Sequence, residues 1–91
     1  MSVLAGEGIL KQFEFEIVWK ELLRCEHSQG SFCLDFPMGQ PCVVLPDEST
    51  WARVAPEWAR QLWPQLHKEL EAWCATDNFR LSVERNASVH V

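Results

Sequence analysis

Basic residues are few in this sequence, and they are scattered. Eight lysines and arginines stand against thirteen aspartates and glutamates, which gives a net charge of −5. No two of the basic residues are adjacent. Proteins that bind nucleic acids usually collect lysine and arginine into a patch that neutralises phosphates. The sequence therefore predicts no nucleic-acid partner, and its acidic excess is compatible with a basic protein partner.

Long apolar segments are also missing. No segment approaches the ~20 consecutive apolar residues with which a helix crosses a bilayer. Residues 1–8 have no positive charge and no apolar run of the length found in signal peptides. We therefore expect no membrane association and a cytoplasmic location, in which the four cysteines stay reduced thiols.

The motifs of common catalytic and cofactor sites are absent as well. No glycine-rich loop precedes a helix, because Gly6 and Gly8 lie ahead of a predicted strand. No serine or cysteine is spaced from a histidine in a recognised nucleophile arrangement. The sequence predicts neither an enzyme nor a bound cofactor.

What remains is the composition of an ordinary folded domain. The chain has 91 residues, of which 47% are hydrophobic and 23% are charged, values typical of globular proteins. A chain of this length has enough apolar surface for one core but not for two. We expect a single domain over residues 1–91, without repeats or linkers.

Residues 12–26 alternate between apolar and charged side chains. A period of two is the repeat of a strand with one buried face. The odd positions hold Phe13, Phe15, Ile17, Trp19, Leu23 and Cys25. The even positions carry mostly charge, including Glu14 and Glu16. We predict one long strand that bends or bulges where the pattern breaks, at Glu21 and Leu22.

Further strands are predicted beyond this segment. Gly30 ends a turn in which glycine is free to adopt positive φ. Alternating apolar residues then predict a second strand at 32–36 and a short third strand at 42–45. The same alternation predicts a fourth strand at 79–83 and a frayed last strand at 89–91.

Between the third and fourth strands, apolar residues recur every three or four positions, which is the helical repeat. This stripe contains Trp51, Ala55, Trp58, Leu62, Leu66, Leu70 and Trp73. We predict a short helical turn at 48–54, followed by one main helix from Pro56 to about Ala75. Pro64 lies inside that helix, where a proline costs about 3 kcal/mol, so we expect a kink there or a break at Trp63.

Together these elements predict a two-layer α+β fold. An antiparallel β-meander is covered by the long kinked helix, and a C-terminal strand completes a βββαβ order. An alternative treats residues 20–28 as a short helix, which gives the βαββαβ order of ferredoxin-like domains. That segment has no helical stripe, so the first arrangement is favoured.

Three cysteines and a histidine offer an alternative, thiol- or zinc-dependent function. Cys25, His27, Cys33 and Cys42 could converge if the predicted turns bring their strands together, and a structural zinc requires four such ligands. The C-x₂-C pairing of many zinc sites is absent. Cys25 and Cys33 also have opposite parity on their strands. We therefore favour buried thiols and predict no metal.

Trp63 is the tryptophan that the predicted core accommodates least. It lies at the margin of the helical stripe, one turn before His67, and tryptophan is a common anchor of protein interfaces. The alternative is that its ring covers the edge of the sheet within the same chain. Glu14 and Glu16 are predicted on the solvent face of the first strand. We take Trp63, His67, Glu14 and Glu16 as candidate partner-binding residues.

The function predicted by elimination is protein–protein interaction. An acidic surface, open strand edges and a tryptophan at a rim are typical of a small regulator, an inhibitor or immunity-type protein, or an accessory subunit. Open strand edges pair readily with other strands, so the sequence is also compatible with a homodimer through a strand edge. A small enzyme with its site at a dimer interface is the further alternative, because scattered catalytic residues leave no local motif.

Overall fold

In the computed structural model of the protein, residues 11–18, 21–37, 39 and 41–91 are described. They form six strands, two α-helices and one 3-10 helix. The strands are β1 (Glu14–Val18), β2 (Leu22–His27), β3 (Gly30–Asp35), β4 (Cys42–Pro46), β5 (Arg80–Glu84) and β6 (Val89–His90). The helices are α1 (Glu48–Val54), the 3-10 helix (Glu57–Leu62) and α2 (Trp63–Asp77).

The described strands form one mixed sheet in the order β1-β2-β3-β4-β5, and β6 pairs with β3. Neighbours from β1 to β4 are antiparallel. β5 runs parallel to β4, because the helices between them return the chain to the end of the sheet where β4 begins. The α+β fold with a meander, a long helical segment and C-terminal strands is confirmed, although the sheet is mixed rather than wholly antiparallel.

The segment predicted as one long strand is a hairpin of β1 and β2. Its register pairs Phe15 with Cys25 and Ile17 with Leu23, so odd residues face odd residues across the two strands. The odd residues are therefore apolar on both sides of the reversal, and the break in the pattern does not distinguish a reversal from a bend within one strand. The reversal occurs where the bend was predicted, and Glu21 there has a φ of 62°, in the left-handed region.

The same hairpin excludes the ferredoxin-like alternative. Residues 22–27 form β2 rather than a helix, so the chain has no helix between its first strands within the described residues. Trp19, which was predicted to face the core, lies outside the described residues.

The two prolines of the helical segment lie at helix starts. Pro56 precedes the 3-10 helix as its N-cap residue. Pro64 lies in the first turn of α2, whose N-cap is Leu62. A proline is tolerated there because its missing N–H would have had no helical acceptor. The break predicted at Trp63 is a change from 3-10 to α geometry within one continuous helical segment.

α1 begins at a side-chain cap. Asp47 Oδ1 accepts a hydrogen bond from the backbone N–H of Thr50 at 2.9 Å, which satisfies a donor that the helix leaves unpaired. Hydrogen bonds from Thr50, the backbone one first, hold the pKa of Asp47 below its ordinary value. Because the folded pKa is lowered, the cap stabilises the fold at neutral pH, and this contribution is lost as the pH falls through that pKa.

The layer between the sheet and the helices contains a large aromatic cluster. Trp51 is fully buried, and its Nε1 donates to the carbonyl oxygen of Ala59 at 2.9 Å. Trp58 and Trp73 are half-buried and pack against the same core, so the core positions predicted for these three tryptophans are confirmed. Strands and helices supply the other enclosed side chains, among them Leu23, Cys25, Leu34, Val43, Leu45, Leu66 and Leu70.

Gly30 closes the turn between β2 and β3 without the positive φ that the sequence suggested. The ring of Trp58 lies directly against it instead. A Cβ added at Gly30 would be 2.9 Å from Trp58 Nε1, closer than real Cβ atoms lie to other heavy atoms outside their own chain neighbourhood. The position therefore requires glycine because of a close approach, not because of its backbone conformation.

Candidate functional site

An apolar groove lies between β1 and α2. Its volume is about 320 Å³, and it is lined by Lys11, Phe15, Lys68, Glu69, Ala72, Trp73 and Thr76. Phe15 and Trp73 supply its two aromatic rings, which are half-buried and have their centroids 5.8 Å apart. Lys11 and Lys68 are exposed at its margin. A concave apolar site with a few polar groups is typical of a binding site.

The helical repeat of α2 produces one wall of this groove. Residues three and four positions apart share a face of a helix, and this spacing relates Lys68, Ala72 and Thr76. On the other wall, Phe15 belongs to the residues of β1 that face the helices. Its ring is only partly covered, because it lies at the edge of the sheet.

Glu69 joins the two walls through a buried carboxylate. Only 7% of its surface is exposed. Its Oε1 accepts a hydrogen bond from the backbone N–H of Phe13 at 2.9 Å, and its Oε2 accepts one from the backbone N–H of Gln12 at 2.8 Å. Gln65 Nε2 also donates to Oε2. The carboxylate thereby holds the residues that lead into β1 against α2.

Sequence reasoning missed Glu69. It is adjacent to Leu70 and one turn away from Leu66 and Trp73, which places it at the border of the buried face of α2. A charged residue at such a position needs hydrogen-bond partners. Those partners are mainly backbone N–H groups, which every residue except proline has, so the sequence carries no motif for them.

The outer face of the β1–β2 hairpin carries the predicted candidates Glu14 and Glu16. Both side chains are exposed, on the face of the sheet opposite the helices. The register places Glu14 opposite Glu26 and Glu16 opposite Arg24. Arg24 makes a 2.6 Å ion pair with Glu26, and such exposed pairs contribute little to stability. Since Arg24 is paired with Glu26, the charges of Glu14 and Glu16 make this face acidic at β1.

β1 is an edge strand in the part of the chain that the structure describes. It pairs with β2 on one side, and no described strand pairs with it on the other. The unpaired backbone groups of such an edge are donors and acceptors for another strand. The groove opens beside this edge on the helical side, and the glutamates flank it on the outer side.

Trp63 and His67 lie elsewhere on α2. The Nε1 of Trp63 donates to the carbonyl oxygen of Pro46, at the end of β4, at 2.8 Å. The imidazole of His67 stacks on the half-buried indole with a centroid distance of 4.9 Å and lies 3.9 Å from Glu71 Oε1. The structure thus brings Trp63 and His67 together on α2. It separates them from Glu14 and Glu16, which lie on the outer face of β1.

The proposed zinc ligands are not gathered at one place. Cys25 is fully buried in the core, whereas Cys33 lies half-buried on the opposite face of the sheet. The imidazole of His27 packs against the rings of Phe13 and Trp58, with distances between ring centroids of 4.9 and 5.1 Å. Within residues 11–18, 21–37, 39 and 41–91, no group of three or more His, Cys, Asp or Glu side chains is arranged to hold a metal.

A histidine–aspartate pair lies on the outer face of the sheet. His90 Nε2 is 2.8 Å from Asp35 Oδ1, and the register places Cys33 opposite His90. Only the pairing of β6 with β3 brings these residues together, because His90 and Asp35 are 55 positions apart. Nucleophilic catalysis by a thiol requires a contact between thiol and base, and no hydrogen bond joins Cys33 to the imidazole among the described residues.

The four thiols are expected to differ in reactivity. Burial raises the pKa of Cys25 well above its ordinary value and the pKa of Cys74 to about 11. Thiolates are the reactive form, so iodoacetamide at pH 8 should modify the half-buried Cys33 and Cys42 first. Peptide mass spectrometry over time measures this order. After unfolding in urea, all four cysteines should react at equal rates. Equal rates in the folded protein would contradict the buried positions of Cys25 and Cys74.

None of the described helices is long and apolar enough to span a membrane. Comparison of the chain with protein-family models, with curated proteins and with solved structures gave no match in any of the three. The described residues form a two-layer α+β domain in which the edge strand of the described sheet lies beside an apolar groove.

Proposed function

We propose that this protein is a non-catalytic protein-interaction module that binds an extended segment of a partner along β1. The observation that carries the proposal is the groove with the Phe15 and Trp73 rings, which lies beside a strand edge that no described strand pairs with. Recognition by strand addition uses this combination: the edge supplies backbone hydrogen bonds, and a neighbouring pocket receives alternate side chains.

The two sides of β1 predict the character of the bound segment. Side chains of an added strand alternate between the two faces of the sheet. Those on the helical side would enter the groove and contact Phe15 and Trp73, so apolar residues fit there. Those on the outer side would face Glu14 and Glu16, where opposite charges stabilise a cross-strand pair. The partner segment is therefore one in which apolar residues alternate with lysine or arginine.

The lysines at the groove contribute packing as well as charge. Lys11 and Lys68 are exposed, and long lysine side chains can lay their methylene groups along an apolar surface while the ammonium stays in water. In the proposed complex they extend the walls of the groove around an inserted side chain. Lys11 Nζ is also 3.9 Å from Glu14 Oε1, an exposed contact that a basic partner residue would replace.

Trp63 and His67 have no part in this strand-binding surface. The indole N–H of Trp63 is satisfied by Pro46, and the stacked imidazole covers one ring face. These contacts favour the alternative in which Trp63 covers the sheet within its own chain and holds the start of α2 on β4.

A pair of synthetic peptides tests the proposal. A peptide of about ten residues that alternates valine and lysine should bind at least about tenfold more tightly, at low salt, than one that alternates valine and glutamate. Glu16→Lys should weaken binding of the lysine peptide and strengthen that of the glutamate peptide. Isothermal titration calorimetry measures the four dissociation constants.

The matched control for Glu16→Lys is Glu57→Lys. Glu57 is an exposed residue of the 3-10 helix and does not line the groove, so its substitution changes the net charge equally without changing a residue of the proposed surface. An equal effect of both substitutions would reduce the binding to general charge attraction and contradict the proposal. Much tighter binding by a variant without residues 1–10 would instead assign the groove to the chain's own N-terminal segment.

A further inference from the structure

β5 forms the other edge of the sheet among the described strands. Toward β4, Arg80 donates its backbone N–H to the carbonyl oxygen of Pro41 at 3.2 Å, and the carbonyl oxygen of Glu84 accepts from Asp47 at 2.9 Å. Backbone groups of successive strand residues point to opposite edges. The N–H and C=O groups of Leu81 and Val83 therefore point away from β4, where no described strand pairs with them.

The side chains of β5 have a symmetric distribution about Ser82. Arg80 and Glu84, of opposite charge, lie two residues to either side of it on the outer face. On the helical face, Leu81 and Val83 lie one residue to either side. Leu81 is half-buried, and Val83 is among the most exposed large apolar residues, with 43% of its surface accessible.

We propose that β5 binds β5 of a second copy of this chain, antiparallel, across a two-fold axis through Ser82. This register places Arg80 opposite Glu84 of the second copy twice, once on each side of the axis. It also sets the outward N–H and C=O groups of Leu81 against those of Val83 of the second copy. The pair exchanges both hydrogen bonds, as in any hydrogen-bonded pair of an antiparallel ladder.

Other pairings of the same edges are opposed by charge. Parallel pairing of two copies of β5 would place Arg80 beside Arg80 and Glu84 beside Glu84. Antiparallel self-pairing of β1 would place the glutamates of one copy, Glu14 and Glu16, opposite the glutamates of the second copy. Like charges directly opposite one another destabilise a strand pair, so β5 is the edge suited to a second copy.

The dimer leaves the surface in the proposed function free. A single sheet would continue through the two-fold axis, and the β1 edges of the two copies would lie at its outer ends. A contact through a five-residue strand is small compared with a stable interface. We therefore expect a concentration-dependent dimer that weakens with salt.

Charge reversal at the two positions tests the inference. Sedimentation velocity from about 1 µM to about 1 mM should show a monomer–dimer equilibrium. Arg80→Glu and Glu84→Arg should each raise the dimer dissociation constant about tenfold or more, because two-fold symmetry turns both attractive pairs into repulsive ones. The double variant Arg80→Glu/Glu84→Arg restores opposite charges across the axis and should return the constant close to that of the unmodified protein.

The double variant also controls for folding, because it contains both substitutions. A protein that stays monomeric throughout the concentration range overturns the inference, and so does a dimer that either single substitution leaves unchanged. Failure of the double variant to restore the dimer, with its circular dichroism spectrum unaltered, overturns the pairing of Arg80 with Glu84. Peptide binding at β1 is measured separately, so either proposal can fail without the other.

Discussion

Replacing Glu69 by alanine is expected to lower the free energy of unfolding by about 3 kcal/mol or more. The substitution leaves the backbone N–H groups of Gln12 and Phe13 without their acceptor, and a hydrogen bond to a charged group is worth about 1.5–3 kcal/mol. Because Phe13 is fully buried, water does not readily replace the lost carboxylate. Urea unfolding followed by tryptophan fluorescence measures the change.

Two further variants separate the carboxylate from the rest of the side chain. Glu69→Gln keeps one oxygen acceptor but turns an amide N–H₂ group toward the second backbone donor, so it should be destabilised by an intermediate amount. Glu71→Ala removes a glutamate from the same helix whose side chain is 62% exposed, and it should change stability by less than about 0.5 kcal/mol. Equal stability of the Glu69 and Glu71 variants would show that the carboxylate does not hold β1 on α2.

Replacing Gly30 by alanine is expected to destabilise the protein by about 1–3 kcal/mol. The added methyl group would lie 2.9 Å from Trp58 Nε1 and 3.0 Å from Cε2 and Cζ2. The indole also stacks on His27 at 5.1 Å and contacts Phe32 at 6.0 Å between centroids, so it is not free to move aside. Thermal or urea unfolding of the variant measures the loss.

The chain contains its own control for this substitution. A Cβ added at Gly39 would meet no atom within 4 Å, so Gly39→Ala should be close to neutral. A double-mutant cycle with Trp58→Ala then isolates the contact. Gly30→Ala should have little effect once the indole is gone, and an undiminished effect in that background would place the strain in the backbone rather than against the ring.

Local patterns in the sequence determined the types of the elements and their approximate bounds. Period-two alternation gave strands at 32–36 and 42–45, where the structure has Gly30–Asp35 and Cys42–Pro46. The stripe from Trp51 to Trp73 gave the helices, and Pro64 marked the change between 3-10 and α geometry. These features are readable because each depends on residues a few positions apart.

Only part of the candidate site could be predicted from such local patterns. Glu14 and Glu16 were found because their alternation with apolar residues places them on an exposed face. The groove was not, because it needs α2 to lie against β1, and Glu69 bonds to residues 56 and 57 positions away. Trp63 was recognised as unusual, but only its hydrogen bond to Pro46 shows what the ring contacts.

The sequence by itself determined that β1 and β2 have one apolar and one charged face, that a helical segment covers the apolar face and that the surface is acidic. Tertiary structure decided where the chain reverses, that β5 runs parallel to β4, and which of the described strands lie at the edges of the sheet. The physical reason is that burial of apolar side chains follows a local repeat, whereas strand pairing uses backbone groups. Those groups are the same at nearly every residue, so their partners are set by the fold as a whole.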